Sequence, residues 1–263
     1  MVQLTTADLT SGYENKMVLK DITIEIPEGK ITSLIGPNGS GKTTLLKTIA
    51  RILEPNKGNV YIDKTAINRL DTKEIAKKIA LLSQKTSQVP GLSVEEIVSY
   101  GRFPYQSGFA GLRKEDHEKI QWAIEATGLT KLKRRALDTL SGGQQQRVWI
   151  AMALAQDTDV LILDEPISFL DPAHQLEILY LLTEINRQGK TILLTIHDLN
   201  HAAQFSDHVL AMKEGNVILE GSSNEVFTKE NMQTLFDIWP QIILSEKNQK
   251  PMILSYDLVR DLP

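Results

Sequence analysis

The sequence predicts an α/β domain with a sheet core, an antiparallel β-segment at its start and an inserted helical segment. Three observations predict it. Two short apolar runs, Val160–Leu163 and Thr191–Thr195, are separated by a segment with helix-opening signals, the alternation of a parallel sheet buried on both faces. A glycine-rich stretch, Gly36–Thr43, stands between an apolar run and a helical one, giving the order strand, loop, helix. Between Val89 and about Ala155 the composition turns to polar helical stretches, which reads as an insert in the sheet. The chain's 263 residues, 41% hydrophobic and 24% charged, suffice for one large domain or two coupled lobes.

Taken in order, Val2–Leu9 and Leu19–Ile26 alternate as half-buried strands do, and Pro27-Glu28-Gly29-Lys30 marks a turn, which predicts an antiparallel sheet. Ile31–Ile35 is a short apolar strand, and Thr43–Ile52 has helical periodicity. A further strand, Ile79–Ser83, ends at Gln84. Within the helical insert, Ser93-Val94-Glu95-Glu96 forms a capping box, in which serine and glutamate side chains satisfy free backbone donors at a helix start. Asp171 caps, and Pro172 opens, the helix between the two apolar strands. Past His197 come a short helix, a hairpin around Glu214-Gly215-Asn216, two helical pieces and a strand near Pro251–Tyr256. The expected organisation is a single domain, 1–263, with a core built from 1–88 and 156–240, a helical subdomain at 89–155 and a C-terminal tail at 241–263.

Composition excludes several classes of function. A formal net charge of -4 disfavours nucleic acid as the main partner. The absence of cysteine removes disulfides, thiolate metal sites and a cysteine nucleophile, and fits a reducing cytosol. No apolar run approaches the roughly 20 residues that span a bilayer, and the amino terminus lacks a basic-then-apolar signal pattern. At a membrane, another protein must hold this chain.

Gly36-Pro37-Asn38-Gly39-Ser40-Gly41-Lys42-Thr43 fits G-x-x-x-x-G-K-T, a phosphate-binding loop. Glycines let the backbone wrap closely enough for several N–H groups to point at phosphate oxygens, and the following helix adds the positive end of its dipole. Lys42 would neutralise the outer phosphates and Thr43 would place its hydroxyl on Mg²⁺, with Ser40 and Thr44 donating further hydrogen bonds. A glycine-rich turn that merely caps a helix is the competing reading.

Val160-Leu161-Ile162-Leu163-Asp164-Glu165 ends a buried strand in two acids, at the carboxyl edge of the sheet where ligands sit. Asp164 would hold Mg²⁺, directly or through water, and Glu165 would accept the proton of the water attacking a γ-phosphate. His197 follows the next strand, where it would contact the γ-phosphate and orient Glu165 and that water; alone, it reads equally as a histidine satisfied in a loop. Gln84, at the joint with the insert, can accept from a metal-bound water and donate to a phosphate, or be surface filler. Tyr13 can stack on adenine with Val18 at the ring edge, or pack on its strand neighbours.

Leu140-Ser141-Gly142-Gly143-Gln144, continuing Gln145-Gln146-Arg147, resembles the signature of the nucleotide-binding subunits of ABC transporters. The phosphate loop, Gln84, Asp164-Glu165, Ser168-Phe169-Leu170-Asp171 and His197 follow in that family's order, across essentially the whole chain. The resemblance implies a P-loop NTPase fold with a mixed sheet core, an N-terminal antiparallel β-subdomain and an inserted α-helical subdomain. It also implies ATP and Mg²⁺ as ligands and a head-to-tail pairing of two copies. In that pairing Ser141, Gly142, Gly143 and Gln144 of one copy close over ATP held by the other, and Gln84 passes the motion to a membrane subunit. Tyr100-Gly101-Arg102-Phe103-Pro104-Tyr105, Trp149–Gln156 and Phe169–Gln175 are similar to the ATPase subunits of bacterial importers for iron-siderophore complexes, haem and cobalamin. The first of these lies where an insert would meet a permease, and Ile167 stands where that subgroup has threonine. The expected function is therefore ATP hydrolysis at the cytoplasmic face of the cell membrane, peripheral to permease subunits and indirectly served by an external substrate-binding protein, most simply for ferric siderophores. Haem, cobalamin or metal-ion import is the alternative. A soluble ABC ATPase acting on nucleic acid or ribosomes is a reading from another class, but those proteins usually carry long insertions or tandem cassettes, and this chain has neither. A binding or regulatory module without turnover is a third, opposed by the presence of Lys42, Glu165 and His197.

Overall fold

The computed structural model describes residues 2–14, 16–84, 89–106 and 111–259; the segment ends expected at residues 1, 88 and 263 lie outside the described residues. In chain order the elements are β1 (Leu4–Tyr13), β2 (Lys16–Ile26), β3 (Ile31–Ile35), α1 (Lys42–Ile49), β4 (Lys57–Ile62), β5 (Thr65–Ala66), α2 (Thr72–Ala76) and β6 (Ile79–Leu82). The insert then contributes α3 (Val94–Ser99), α4 (Lys114–Ala126) and α5 (Gly142–Ala155). The chain returns to the sheet with β7 (Val160–Leu163), α6 (Pro172–Arg187), β8 (Thr191–Thr195), α7 (Leu199–Phe205), β9 (His208–Lys213) and β10 (Asn216–Gly221). It closes with α8 (Ser223–Val226), α9 (Lys229–Phe236), β11 (Ile238–Leu244) and β12 (Pro251–Leu258).

The central sheet has the order β10-β9-β3-β8-β7-β6. It is parallel except for β10, which returns antiparallel on β9, so the expected mixed sheet is present. Its strands divide their side chains between two cores with period two. On β7, Leu161 and Leu163 face the helical side while Val160 and Ile162 face the antiparallel sheet, and on β8 Ile192 and Leu194 oppose Leu193 in the same way. Burial on both faces is why these strands read as unbroken apolar runs.

The antiparallel sheet has the order β2-β1-β4-β5. Pro27–Lys30 does not close a hairpin: it carries the chain from β2 in that sheet to β3 in the central one. The antiparallel partner of β1 beyond β2 is β4, a strand the sequence reading left out. The C-terminal strand near Pro251 also has a partner that the sequence did not suggest, β11, which pairs with β12 as a separate two-stranded sheet and runs across residues 240 and 241.

Helices α3, α4 and α5 share apolar contacts through Val94, Ile97, Val98, Ile120, Ala123, Ile124 and Val148. Ser93 forms the predicted capping box, accepting from the Glu96 N–H while Glu96 accepts from the Ser93 N–H at 2.8 Å. Parallel topology brings the carboxyl ends of β3, β7 and β8 side by side, and the loop before α1, the acids after β7 and the histidine after β8 all follow those ends.

Candidate active site

The phosphate loop leaves β3 at Gly36, whose φ of 145° and whose approach to the Met212 carbonyl leave no room for a Cβ, since one built there would lie 2.1 Å from that oxygen. Glycine is needed at this position. The loop then curls over Lys42, whose Nζ donates to the carbonyls of Gly36 at 2.8 Å and Pro37 at 3.0 Å. The Ser40 hydroxyl is buried with no partner, an unsatisfied donor of the kind a phosphate oxygen would engage. Burial lowers the Lys42 pKa below the ordinary lysine value, with Glu165 and Asp164 pulling it back up.

Behind the loop stand the acids at the end of β7. The hydroxyls of Thr43 and Thr195 both donate to Asp164 Oδ1, at 3.2 and 2.9 Å. The Glu165 N–H donates to the Thr195 hydroxyl at 2.7 Å, so one buried threonine on β8 registers both acids. Glu165 itself has a left-handed φ of 53°, a strained backbone of the kind that collects at functional sites.

Its carboxylate is held from three sides. Gln84 Nε2 donates to Oε2 at 2.7 Å, the Ser168 hydroxyl donates to Oε2 at 2.9 Å, and His197 Nε2 lies 2.6 Å from Oε1. An ionised carboxylate only accepts, so His197 Nε2 carries a proton in this pair. Burial pushes the Glu165 carboxyl up, and the bonds from His197, Ser168 and Gln84 outweigh it and leave the pKa below the ordinary glutamate value.

An open cavity of about 610 Å³ joins these groups. Asn38, Gly39, Gly41, Lys42, Thr43 and Thr44 line it from the loop, Glu165 and His197 from the sheet edge, and Tyr13 and Val18 from the antiparallel sheet. Tyr13 is exposed, so its ring is presented rather than packed away. Gly36, Pro37 and Ser40 support the loop from behind, and Gln84 and Asp164 reach the site through Glu165 and Thr43.

Ser141, Gly142, Gly143 and Gln144 do not line this cavity. They form the start of α5, where Ser141 and Gln144 make a reciprocal capping box. A helix start with free N–H groups is suited to an anion, yet within one chain it serves a different place from the phosphate loop.

The sequence reading assigned no role to Ser168, Thr195, Lys16, Met17, Lys20, Glu214 or Gly215. The last five also line the cavity. In the sequence Gly215 marks only a turn, but its N–H donates to the Ser40 carbonyl at 3.0 Å and its carbonyl accepts from the Lys20 N–H at 2.9 Å, so it ties the phosphate loop to β2. No local pattern marks such a bridge. The one available signal for Ser168 and Thr195 is a hydroxyl within three residues of Glu165 or His197.

Known proteins resemble this chain throughout. A model of the ABC transporter family matches residues 19–168. The iron(3+)-hydroxamate import ATP-binding protein of Bacillus subtilis (strain 168) is 51% identical over 262 residues, 99% of this chain and 97% of that protein. An inward-facing transporter described as of the metal-chelate type superposes with a TM-score of 0.82 at 27% identity, covering 97% of this chain and 98% of that one. A dimeric ATP-binding cassette in a post-hydrolysis state with ADP and Pi gives a TM-score of 0.72 at 32% identity, over 83% of this chain and 98% of that one.

Proposed function

The chain belongs to the ABC transporter family, and on that premise we propose that it is the ATP-hydrolysing subunit of an importer for ferric siderophores. The observation that carries the hydrolytic part is Glu165, held by Gln84, Ser168 and His197 at 2.6–2.9 Å in a cavity shared with Lys42 and Thr43. Kept ionised by those bonds, Glu165 takes the proton of a water that attacks the γ-phosphorus, the bond to the β-phosphate oxygen breaks, and ADP and inorganic phosphate leave. Lys42 offsets charge on the outer phosphates, His197 orients Glu165 and meets the γ-phosphate, and Tyr13 with Val18 receives the adenine.

Thr43 and Asp164 supply one hydroxyl and one carboxylate, the sparse protein contribution that Mg²⁺ accepts when phosphates and waters complete its shell. Among the described residues no cluster of three or more acidic or imidazole ligands exists that would hold a metal without nucleotide, which fits an ion that arrives with ATP. When bound, Mg²⁺ would neutralise charge on the β- and γ-phosphates, and Gln84 would accept from one of its waters.

Ser141 to Gln144 complete the enclosure from a second copy, because they lie apart from the cavity of their own chain and the similar cassette is a dimer. No helix among the described residues is long and apolar enough to cross a membrane. We assign the chain to the cytoplasmic face, held by permease subunits that receive the chelate from an external binding protein. The 51% identity to an iron(3+)-hydroxamate system supports an iron chelate over haem or cobalamin.

Glu165→Gln tests the chemistry: phosphate release should fall by about 10²–10⁴-fold with ATP binding retained, and undiminished turnover would exclude Glu165 as the base. Uptake of radioactive ferric hydroxamate in cells lacking this chain, with and without its restoration, tests the cargo; equal uptake would remove the siderophore assignment.

A further inference from the structure

Two features flank the Glu165–His197 pair, and neither enters the chemistry above. One is a knob. Phe169 lies four residues past Glu165 with its side chain 98% exposed and a φ of 64°, a left-handed backbone that aromatic residues rarely adopt. A phenyl ring standing wholly in water on a strained backbone is held there at a cost in burial and conformation, which the fold has not relieved within this chain.

The other is a hole. A cavity of about 530 Å³ opens between α7 and the β11–β12 hairpin, walled by Leu199, Phe236, Ile253, Leu254 and Tyr256 and reaching His197. Leu254 and Tyr256 are 54% and 61% exposed at its mouth. Its volume accommodates an aromatic ring, and its walls offer apolar and edge-to-face contacts to one. At 98% exposure, Phe169 is not seated in the hole of its own chain.

His197 lines both this hole and the nucleotide cavity, so the hole continues the face that a second copy would cover if two chains enclose the nucleotide. Knob and hole are thus each joined along the chain to one member of the carboxylate–imidazole pair, Phe169 through the Glu165–Ser168 turn and the hole through the helix after His197. We propose that Phe169 of each chain seats in the Leu254–Tyr256 hole of a second copy when two chains close on ATP. The proposal rests on the reading that two copies enclose the nucleotide. Two-fold symmetry makes the contact twice per dimer. An aromatic anchor in a desolvated pocket is the contact type that dominates interface affinity. Because Phe169 follows the Glu165–Ser168 turn and the hole is walled by the helix that follows His197, seating bears on both members of the pair and ties closure to alignment of the base.

The chain's lack of cysteine makes the test direct. Phe169→Cys and Tyr256→Cys are placed on separate chains, each also carrying Glu165→Gln so that ATP is not consumed, and the two are mixed and mildly oxidised. A covalent heterodimer should form with ATP and Mg²⁺ and not without them, while light scattering on the same mixture reports dimerisation independently. Dimers without the crosslink overturn the knob and leave the two-copy reading standing; failure to dimerise overturns both. In the Glu165→Gln background, Phe169→Ala and Leu254→Ala should each weaken the ATP-dependent dimer about tenfold or more. The double variant should be little worse than either single one, the mark of a shared contact. Unchanged dimer affinity or additive losses overturn the proposal, as does a crosslink formed inside a monomer carrying both cysteines. All three positions are exposed, and unchanged melting temperatures should confirm that these variants fold.

Discussion

Ser168 and Thr195 show how much of this site depends on residues to which the sequence pattern assigns no role. Glu165 has its pKa depressed by bonds from His197, Ser168 and Gln84 against the upward push of burial. A depressed carboxyl stays ionised through the ordinary glutamate range and is protonated only as pH falls below it, so the stability it supplies, and the base function proposed for Glu165, are lost only there. Ser168→Ala removes one of the lowering bonds: the acid limb of kcat should move to higher pH, with a several-fold loss at neutral pH, both read from phosphate release against pH. Thr195→Val leaves the Glu165 N–H without its buried acceptor and Asp164 with only the Thr43 hydroxyl of its two donors, and should lower stability by about 1–3 kcal/mol in urea unfolding. Lys42, Thr43, Asp164 and Glu165 were legible in the sequence because each lies in a contiguous pattern fixed by its chemistry. The roles of Ser168 and Thr195 were not, because neither the hydroxyl that heads Ser168-Phe169-Leu170-Asp171 nor the one two residues before His197 has a visible target until β7 and β8 are laid side by side.

Among the elements, the Tyr100–Tyr105 segment divides its labour. Tyr100 and Phe103 are exposed, as a surface facing a partner requires, but Arg102 is buried. Its Nε donates to Asp116 Oδ1 at 2.9 Å, its Nη1 to the Ala155 carbonyl at 2.8 Å, and its guanidinium lies 3.8 Å from the centre of the Tyr105 ring. This bond set joins the start of α4 to the end of α5. Asp116→Ala would leave a buried guanidinium uncompensated and should cost about 3–5 kcal/mol in denaturant unfolding, loosening the helical insert while the phosphate loop still binds nucleotide. Strands β3, β7 and β8 were readable to the residue, since each is buried along its whole length and dominated by Ile, Leu and Val, with small hydroxyls at Thr32, Ser33, Thr191 and Thr195. By contrast, Lys57–Ile62 contains glycine and asparagine, and Ile238–Leu244 contains Pro240. Those residues argue against strands, and in β11 the position tolerates proline: among the described residues β11 pairs only with β12, leaving an open side on which a missing N–H costs nothing.

At the scale of the molecule, two cores meet across one sheet, and the phosphate loop is braced from both. The backbone of Gly215 joins Ser40 to Lys20, while its φ of 85° and a distance of 2.0 Å from a built Cβ to the Val18 carbonyl exclude any side chain. Gly215→Ala should destabilise the fold by more than about 1 kcal/mol and raise the KM for ATP, because the sheet carrying Tyr13 and the loop carrying Lys42 lose their common tie. The opposite end of the chain braces the histidine. The Asn200 side chain donates to the Ile253 carbonyl at 3.0 Å and accepts from the Ile253 N–H at 2.7 Å, and Gln204 donates to the Pro251 carbonyl at 2.8 Å. Helix α7, directly after His197, is thus stapled by residues about fifty positions later in the chain. During synthesis those residues emerge well after the phosphate loop, the two acids and His197 itself. A chain that has reached only β10 already holds every neighbour of the phosphate loop, β8, β9 and Gly215, yet it lacks the staple on the helix after His197. The loop that grips phosphate and the histidine that faces it thus depend on stretches of chain made far apart in time, and the later stretch finishes the anchoring of the earlier one.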